Sequence, residues 1–212
     1  MNNQELFAYV KDALAVYDSH GGRARTGIRY SRYDHTVRVY NWAMILAEDY
    51  KDTIDIEALQ IAAIFHDIGY GQNKDDMDHH AADGAVLCRE YLESIGYPED
   101  RADFVCGLIA RHSDKECIHS DEIPLELVLL MEADLLENTG AHGIIMDTWI
   151  RATREDVSFE TILEHIKKFT LKQMQDNPMR TKKAYEIWEE KKELINRFVE
   201  SLTVDLYGHS AN

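Results

Sequence analysis

The sequence predicts an all-α protein folded as a single-domain helical bundle. Apolar residues recur at helical spacing through most of the chain, and no run alternates with period two between turn residues. Only three prolines occur, and Pro98, Pro124 and Pro178 each precede a helical pattern, where a fixed φ and a missing N–H cost little. The 212 residues, 45% hydrophobic, suit one globular domain with a sizeable core.

Nine helices are expected, at residues 3–19, 33–50, 55–68, 78–95, 98–112, 124–137, 141–155, 158–173 and 178–203. The second carries a stripe of His35, Val39, Trp42 and Leu46. The third is apolar nearly all round from Ile56 to Phe65, the pattern of a buried central helix, and it ends in His66-Asp67-Ile68-Gly69. Gly69 suits the left-handed residue that closes a helix. In the fourth, His80 aligns with Gly84, Leu87 and Tyr91, and Gly84 would let another helix come close. The fifth places His112 behind Phe104, Val105, Leu108 and Ile109, and the sixth places Asp134 behind Leu127, Leu130 and Met131. The last carries Tyr185, Trp188, Leu194, Ile195 and Phe198 at helical spacing, without a heptad long enough for a coiled coil. It is expected to pack on the domain, and a homodimer is compatible with it. The domain thus spans 1–212, with the motif-bearing core at about 33–135 and helices 141–203 against it.

Composition excludes several classes. Twenty-three basic against 39 acidic residues leave a net charge of −16, which argues against extended nucleic acid or an anionic membrane as partner. The longest apolar run, Ile61 to Phe65, is far too short for a bilayer, and MNNQELFAYVKD lacks the pattern of a signal peptide. Cys88, Cys106 and Cys117, without CxxC spacing, read as reduced thiols of a cytoplasmic protein.

The chemistry resides in the histidines and aspartates that end the apolar stripes. A core-facing histidine or carboxylate is costly unless satisfied, and both are natural ligands of divalent metals. Any one of them alone is more often a core residue hydrogen-bonded to backbone. Six together, His35, His66, Asp67, His80, His112 and Asp134, point to a metal site inside the bundle. His79, beside His80, points toward Asp83 and Val86 and is left outside the set.

These residues resemble the HD-domain superfamily of metal-dependent phosphohydrolases. The resemblance rests on Tyr33-Asp34-His35-Thr36 with Arg38-Val39, Phe65-His66-Asp67-Ile68-Gly69, His80 with Gly84-Ala85, Arg111-His112-Ser113 and Ala133-Asp134. It covers about 33–135, and Met179-x-Thr181 with Ala184 is weakly similar to the C-terminal helix of a bacterial subgroup. The resemblance implies His35, His66 and Asp134 on one metal, His80 and His112 on a second, and Asp67 bridging both. Mixed nitrogen and oxygen ligation suits manganese, iron, cobalt or nickel. No GYP signature follows the ligands, and Ile68-Gly69-Tyr70-Gly71 stands where guanosine-tetraphosphate hydrolases carry an acidic pair, so known nucleotide specificities do not transfer.

The implied activity is hydrolysis of phosphate esters or anhydrides in a small nucleotide-like substrate by metal-activated hydroxide, with Asp67 as the catalytic carboxylate. Candidate phosphate holders are Arg29 and Arg32 in the basic stretch GGRARTGIRYSRY, Arg111 and Lys115 around His112, and Lys74 in the polar loop 70–78. A solvated loop explains the basic stretch equally well. The same ligands are similar to those of diiron HD oxygenases, which cleave C–C or C–P bonds with O2, and nothing in the ligand set separates the two chemistries. A non-catalytic regulatory module is a third reading, disfavoured because a pure binding role requires no such ligand set.

Overall fold

The computed structural model describes residues 2–19, 31–72 and 78–208. Nine α-helices and no strand occur among the described residues, so the fold is all-α. The chain divides into two compact units, 1–134 and 135–212, with the boundary inside the sixth helix.

The first unit begins with α1 (Asn3–Ser19), which buries Leu6, Val10, Leu14 and Tyr17 along one face. Asp18, in its last turn, organises the start of α2 (Arg32–Ala47). Its carboxylate accepts from the Ser31 hydroxyl at 2.9 Å and from the Arg32 and Tyr33 amides at 2.6 and 3.3 Å. Ser31 in turn caps the Asp34 amide at 3.0 Å. These bonds satisfy the orphan N–H groups of α2 and fix the register that turns His35, Val39, Ala43 and Leu46 inward.

Helix α3 (Ile56–Phe65) is the buried central helix that its composition predicts; every residue from Ile61 to Phe65 is fully buried. Its N-terminus is capped by Asp55, which accepts from the Ala58 amide at 3.0 Å. Arg101 of α5 (Glu99–Arg111) bonds Asp55 at 2.6 Å and Glu57 at 2.7 Å. Glu126 of α6 (Leu125–Glu137) accepts from the Asp55 amide at 2.7 Å. Both ends of α3 are therefore constrained, one by ion pairs and the other by the turn that follows it.

That turn departs from expectation. The helical pattern to residue 68 breaks at Phe65, and Ile68–Gly71 forms a 3-10 turn. Gly69 does not take the left-handed conformation; positive φ is found among the described glycines at Gly96, Gly140 and Gly208. It is needed for close approach instead. A β-carbon there would lie 2.1 Å from the His80 carbonyl oxygen and 2.8 Å from the Gly84 amide nitrogen of α4 (His80–Ser94). Gly84 presents the other side of this contact, its own β-carbon position lying 3.2 Å from the His66 carbonyl oxygen. Two glycines thus let the metal-type pair and the start of α4 meet backbone to backbone.

In the second unit, α7 (Ala141–Ala152) follows Gly140 at φ 68°. Helix α8 (Phe159–Ile166) opens with a reciprocal Ser158–Thr161 cap and runs into a π-helical segment at Lys167–Leu171. Thr170 of that segment donates to Asp147 of α7. Helix α9 (Lys182–Tyr207) is capped by Thr181 and ends at left-handed Gly208. Its Lys191 ammonium donates to the Leu136 and Thr139 carbonyls at 2.8 and 3.1 Å, covering the free end of α6. No helix among the described residues is long and apolar enough to cross a membrane.

Candidate metal centre

Asp67 is the hub. It sits 3% exposed between the end of α3 and the 3-10 turn, and its two oxygens face different partners. Oδ2 lies 3.2 Å from His35 Nε2 and 3.3 Å from His66 Nε2. Oδ1 lies 3.5 Å from both His80 Nε2 and His112 Nε2. Asp134 of α6 completes the Oδ2 side, its Oδ1 standing 3.3 Å from His35 Nε2. All six residues singled out in the sequence are therefore gathered in one place, from the ends or first turns of α2, α3, α4, α5 and α6.

Two of the imidazoles are fixed by backbone carbonyls. His66 Nδ1–H donates to the Ala63 carbonyl at 2.9 Å, and His112 Nδ1–H donates to the Ile109 carbonyl at 2.7 Å. A carbonyl only accepts, so in the neutral rings Nε2 carries the lone pair. Each of these lone pairs confronts an Asp67 oxygen, and His66 Nε2 also lies 3.3 Å from His35 Nε2. Acceptors facing acceptors repel unless a cation or proton lies between them. Metal–ligand bonds of about 2.0–2.2 Å at tetrahedral or octahedral angles give ligand–ligand edges of about 2.8–3.6 Å. The separations of 3.2 to 3.5 Å fall in that interval. One ligand atom from each of His35, His66 and Asp134 lies within 4.8 Å of the others, as does one from each of His66, Asp67 and His112. The donor set fits divalent metal.

Two cations already attend the carboxylates. Arg32 Nη1 donates to Asp67 Oδ2 at 2.7 Å, and Lys115 Nζ donates to Asp134 Oδ2 at 2.7 Å. Burial would raise the Asp67 pKa, but the neighbouring His66 imidazole, the Arg32 charge and hydrogen bonds with His112 and His35 outweigh it and hold the acid well below its usual range. Asp134 is likewise held low: burial opposes, while Lys115 and His35 prevail. Both groups are thus carboxylates, the form a metal requires.

The expected phosphate holders divide. Arg32 does not lie open at a pocket mouth; it is 7% exposed and committed to Asp67. Lys115 is half-buried on Asp134, and Arg111 is exposed, its guanidinium 3.8 Å from Cys117 Sγ. Arg29 and Lys74 lie outside the described residues. Sequence reading overlooked Tyr70, whose ring touches both His80 and Arg32, and Asp18, which caps the ligand-bearing α2. The available signal for Tyr70 was its place in the turn directly after His66-Asp67.

The HD domain family matches residues 32–139. No curated protein matches the sequence. Among solved structures, the chain is similar to YpgQ of Bacillus subtilis in complex with ADP, at 20% identity and TM-score 0.66, covering 97% of this chain and 95% of that one. It is similar to a predicted HD superfamily hydrolase from an uncultured Thermotogales bacterium, at 20% identity and TM-score 0.67 over 96% and 92% of the two chains. A third likeness is to an HD-superfamily hydrolase from Bacillus thuringiensis, at 18% identity and TM-score 0.67 over 96% of each chain. At such identities the likeness speaks for the fold, whereas the family match spans half the chain and includes five of the helices that converge on Asp67. The chain belongs to the HD domain family.

Proposed function

We propose that this protein is a metal-dependent phosphohydrolase that cleaves a phosphate ester or anhydride in a small nucleotide-like substrate. The observation that carries the reading is the two-sided environment of Asp67, with one imidazole pair on each carboxylate oxygen. His35, His66 and Asp134 would hold one divalent ion and His80 and His112 a second, with Asp67 shared between them. Such ions lower the pKa of water toward neutrality and neutralise charge on phosphoryl oxygens. A carboxylate can be shared because it offers two oxygens, whereas an imidazole has one free nitrogen.

The remaining groups do work that the chain supplies by itself. Arg32 fixes Oδ2 of Asp67 and so sets which way Oδ1 points. Lys115 holds Asp134 by the oxygen that His35 does not use, and its exposed flank gives it access to an anionic substrate. Arg111, exposed at the end of α5 beside His112, is the second group placed to meet phosphate. The net charge of −16 favours a small substrate over a nucleic acid, since the positive charge needed is local to the site. The ADP held by the similar YpgQ structure supports a nucleotide as the first substrate class to try. Manganese, iron, cobalt or nickel suits the donors.

The test combines elemental analysis of the purified protein with phosphate release from a panel of nucleoside di- and triphosphates and simple phosphoesters. A hydrolase turns over equally under argon and air and consumes no O2. Metal-dependent oxygen uptake without phosphate release would replace this reading with the oxygenase one.

A further inference from the structure

Tyr70 lies in the 3-10 turn after Asp67, its amide donating to the Asp67 carbonyl at 3.2 Å, and it is 7% exposed. Its ring stacks on the His80 imidazole with centroids 4.5 Å apart and planes 23° from parallel. The Arg32 guanidinium carbon lies 4.2 Å from the centroid of the same ring, and Tyr17 of α1 backs it at 5.4 Å. One aromatic ring therefore touches the group that fixes Asp67 Oδ2 and the group that faces Asp67 Oδ1.

The His80 imidazole meets the Tyr70 ring face to face. Stacking restricts rotation of both planes, and a cation over the ring adds attraction on the Arg32 side. We infer that Tyr70 is a positioning residue for the second ion: its ring sets the His80 plane and, through Arg32, the rotation of Asp67, so that His80 Nε2 and Asp67 Oδ1 converge. This rests on the two-ion reading above. Groups that orient metal ligands typically contribute 10- to 100-fold to metal affinity.

The experiment measures Mn(II) binding to the full chain by equilibrium dialysis with elemental analysis, and by the EPR signal of an exchange-coupled Mn(II) pair. Wild type takes up two ions per chain and shows the coupled signal. Tyr70→Leu retains one ion, binds the second about 10- to 100-fold more weakly and loses the coupled signal, while Tyr70→Phe, which keeps the ring, restores both. Tyr70→Met, similar in volume but without a flat face, is read in the same way where the Leu variant does not fold. Retention of the second ion within about threefold of wild type in the Leu or Met variant overturns the inference and leaves the two-ion reading standing, since threefold lies well below the expected loss. Failure of Tyr70→Phe to restore it also overturns the role of the ring. Uptake of fewer than two ions by wild type defeats the two-ion reading itself, before any variant is compared.

Discussion

Replacing Gly69 by alanine tests the backbone contact on which the centre is built. The new methyl group would stand 2.1 Å from the His80 carbonyl oxygen and 2.8 Å from the Gly84 nitrogen, both backbone atoms that cannot swing aside. Even the tightest tolerated separation, 3.0 Å, requires the turn and α4 to part by about 0.9 Å. Overpacking of this kind costs about 1–3 kcal/mol, which for a chain of this size lowers Tm by roughly 2–12 °C. The same movement carries His80 away from Asp67, so the second ion should be lost along with stability. Gly107→Ala is the matched control. Gly107 is exposed inside α5, and its added methyl group meets nothing within 4 Å, so helix propensity should raise stability by up to about 1 kcal/mol. Urea melts and Mn(II) titrations on the two variants read both effects. A Gly69→Ala protein within about 0.5 kcal/mol of wild type and with unaltered metal uptake would refute the close-approach argument.

Further outcomes are expected. Asp67→Ala should abolish turnover and metal retention together while the helical circular dichroism persists; full activity in that folded, metal-free variant would overturn the phosphohydrolase scheme. Burial pushes the Lys191 ammonium down to about 8 against the pull of Glu137, so its contribution to stability is fully present above the ordinary value of 10.5 and is lost as pH falls toward 8. Wild type should therefore gain up to about 3 kcal/mol relative to Lys191→Met between pH 8 and 10.5, and parallel urea curves for the two proteins across that window would contradict it. Saturating Mn(II) should raise stability by about 2.7 kcal/mol for each ion held at a hundredfold excess over its Kd, with chelation reversing the shift in thermal melts. Arg32→Met leaves the buried Asp67 without its cation, and should cost the metal-free protein about 3–5 kcal/mol by denaturant titration, less once Mn(II) is supplied.

The helices were legible because their signal is local. An apolar stripe at helical spacing requires only neighbours in sequence, and α1 spans the residues expected of it while the others differ at their ends by a few residues. The last helix, expected at 178–203, runs instead from Lys182 to Tyr207, and α3 gives way early to a 3-10 turn at Ile68–Gly71, where Gly69 meets α4 backbone to backbone. The single helix expected over 158–173 contains a π-helical segment, where Thr170 bonds Asp147 on another helix. Neither partner could be read from spacing.

What the sequence determined by itself was the all-α class and the identity of the six converging side chains, because burying a histidine or a carboxylate at the end of an apolar stripe is costly without a partner. Only the tertiary structure decided that Asp67 turns one oxygen to His35 and His66 and the other to His80 and His112, and that Arg32 serves this carboxylate from within. The physical reason is range. Periodicity is set within a few residues, whereas the direction of this carboxylate is set by groups that packing brings from α2, α4 and α5.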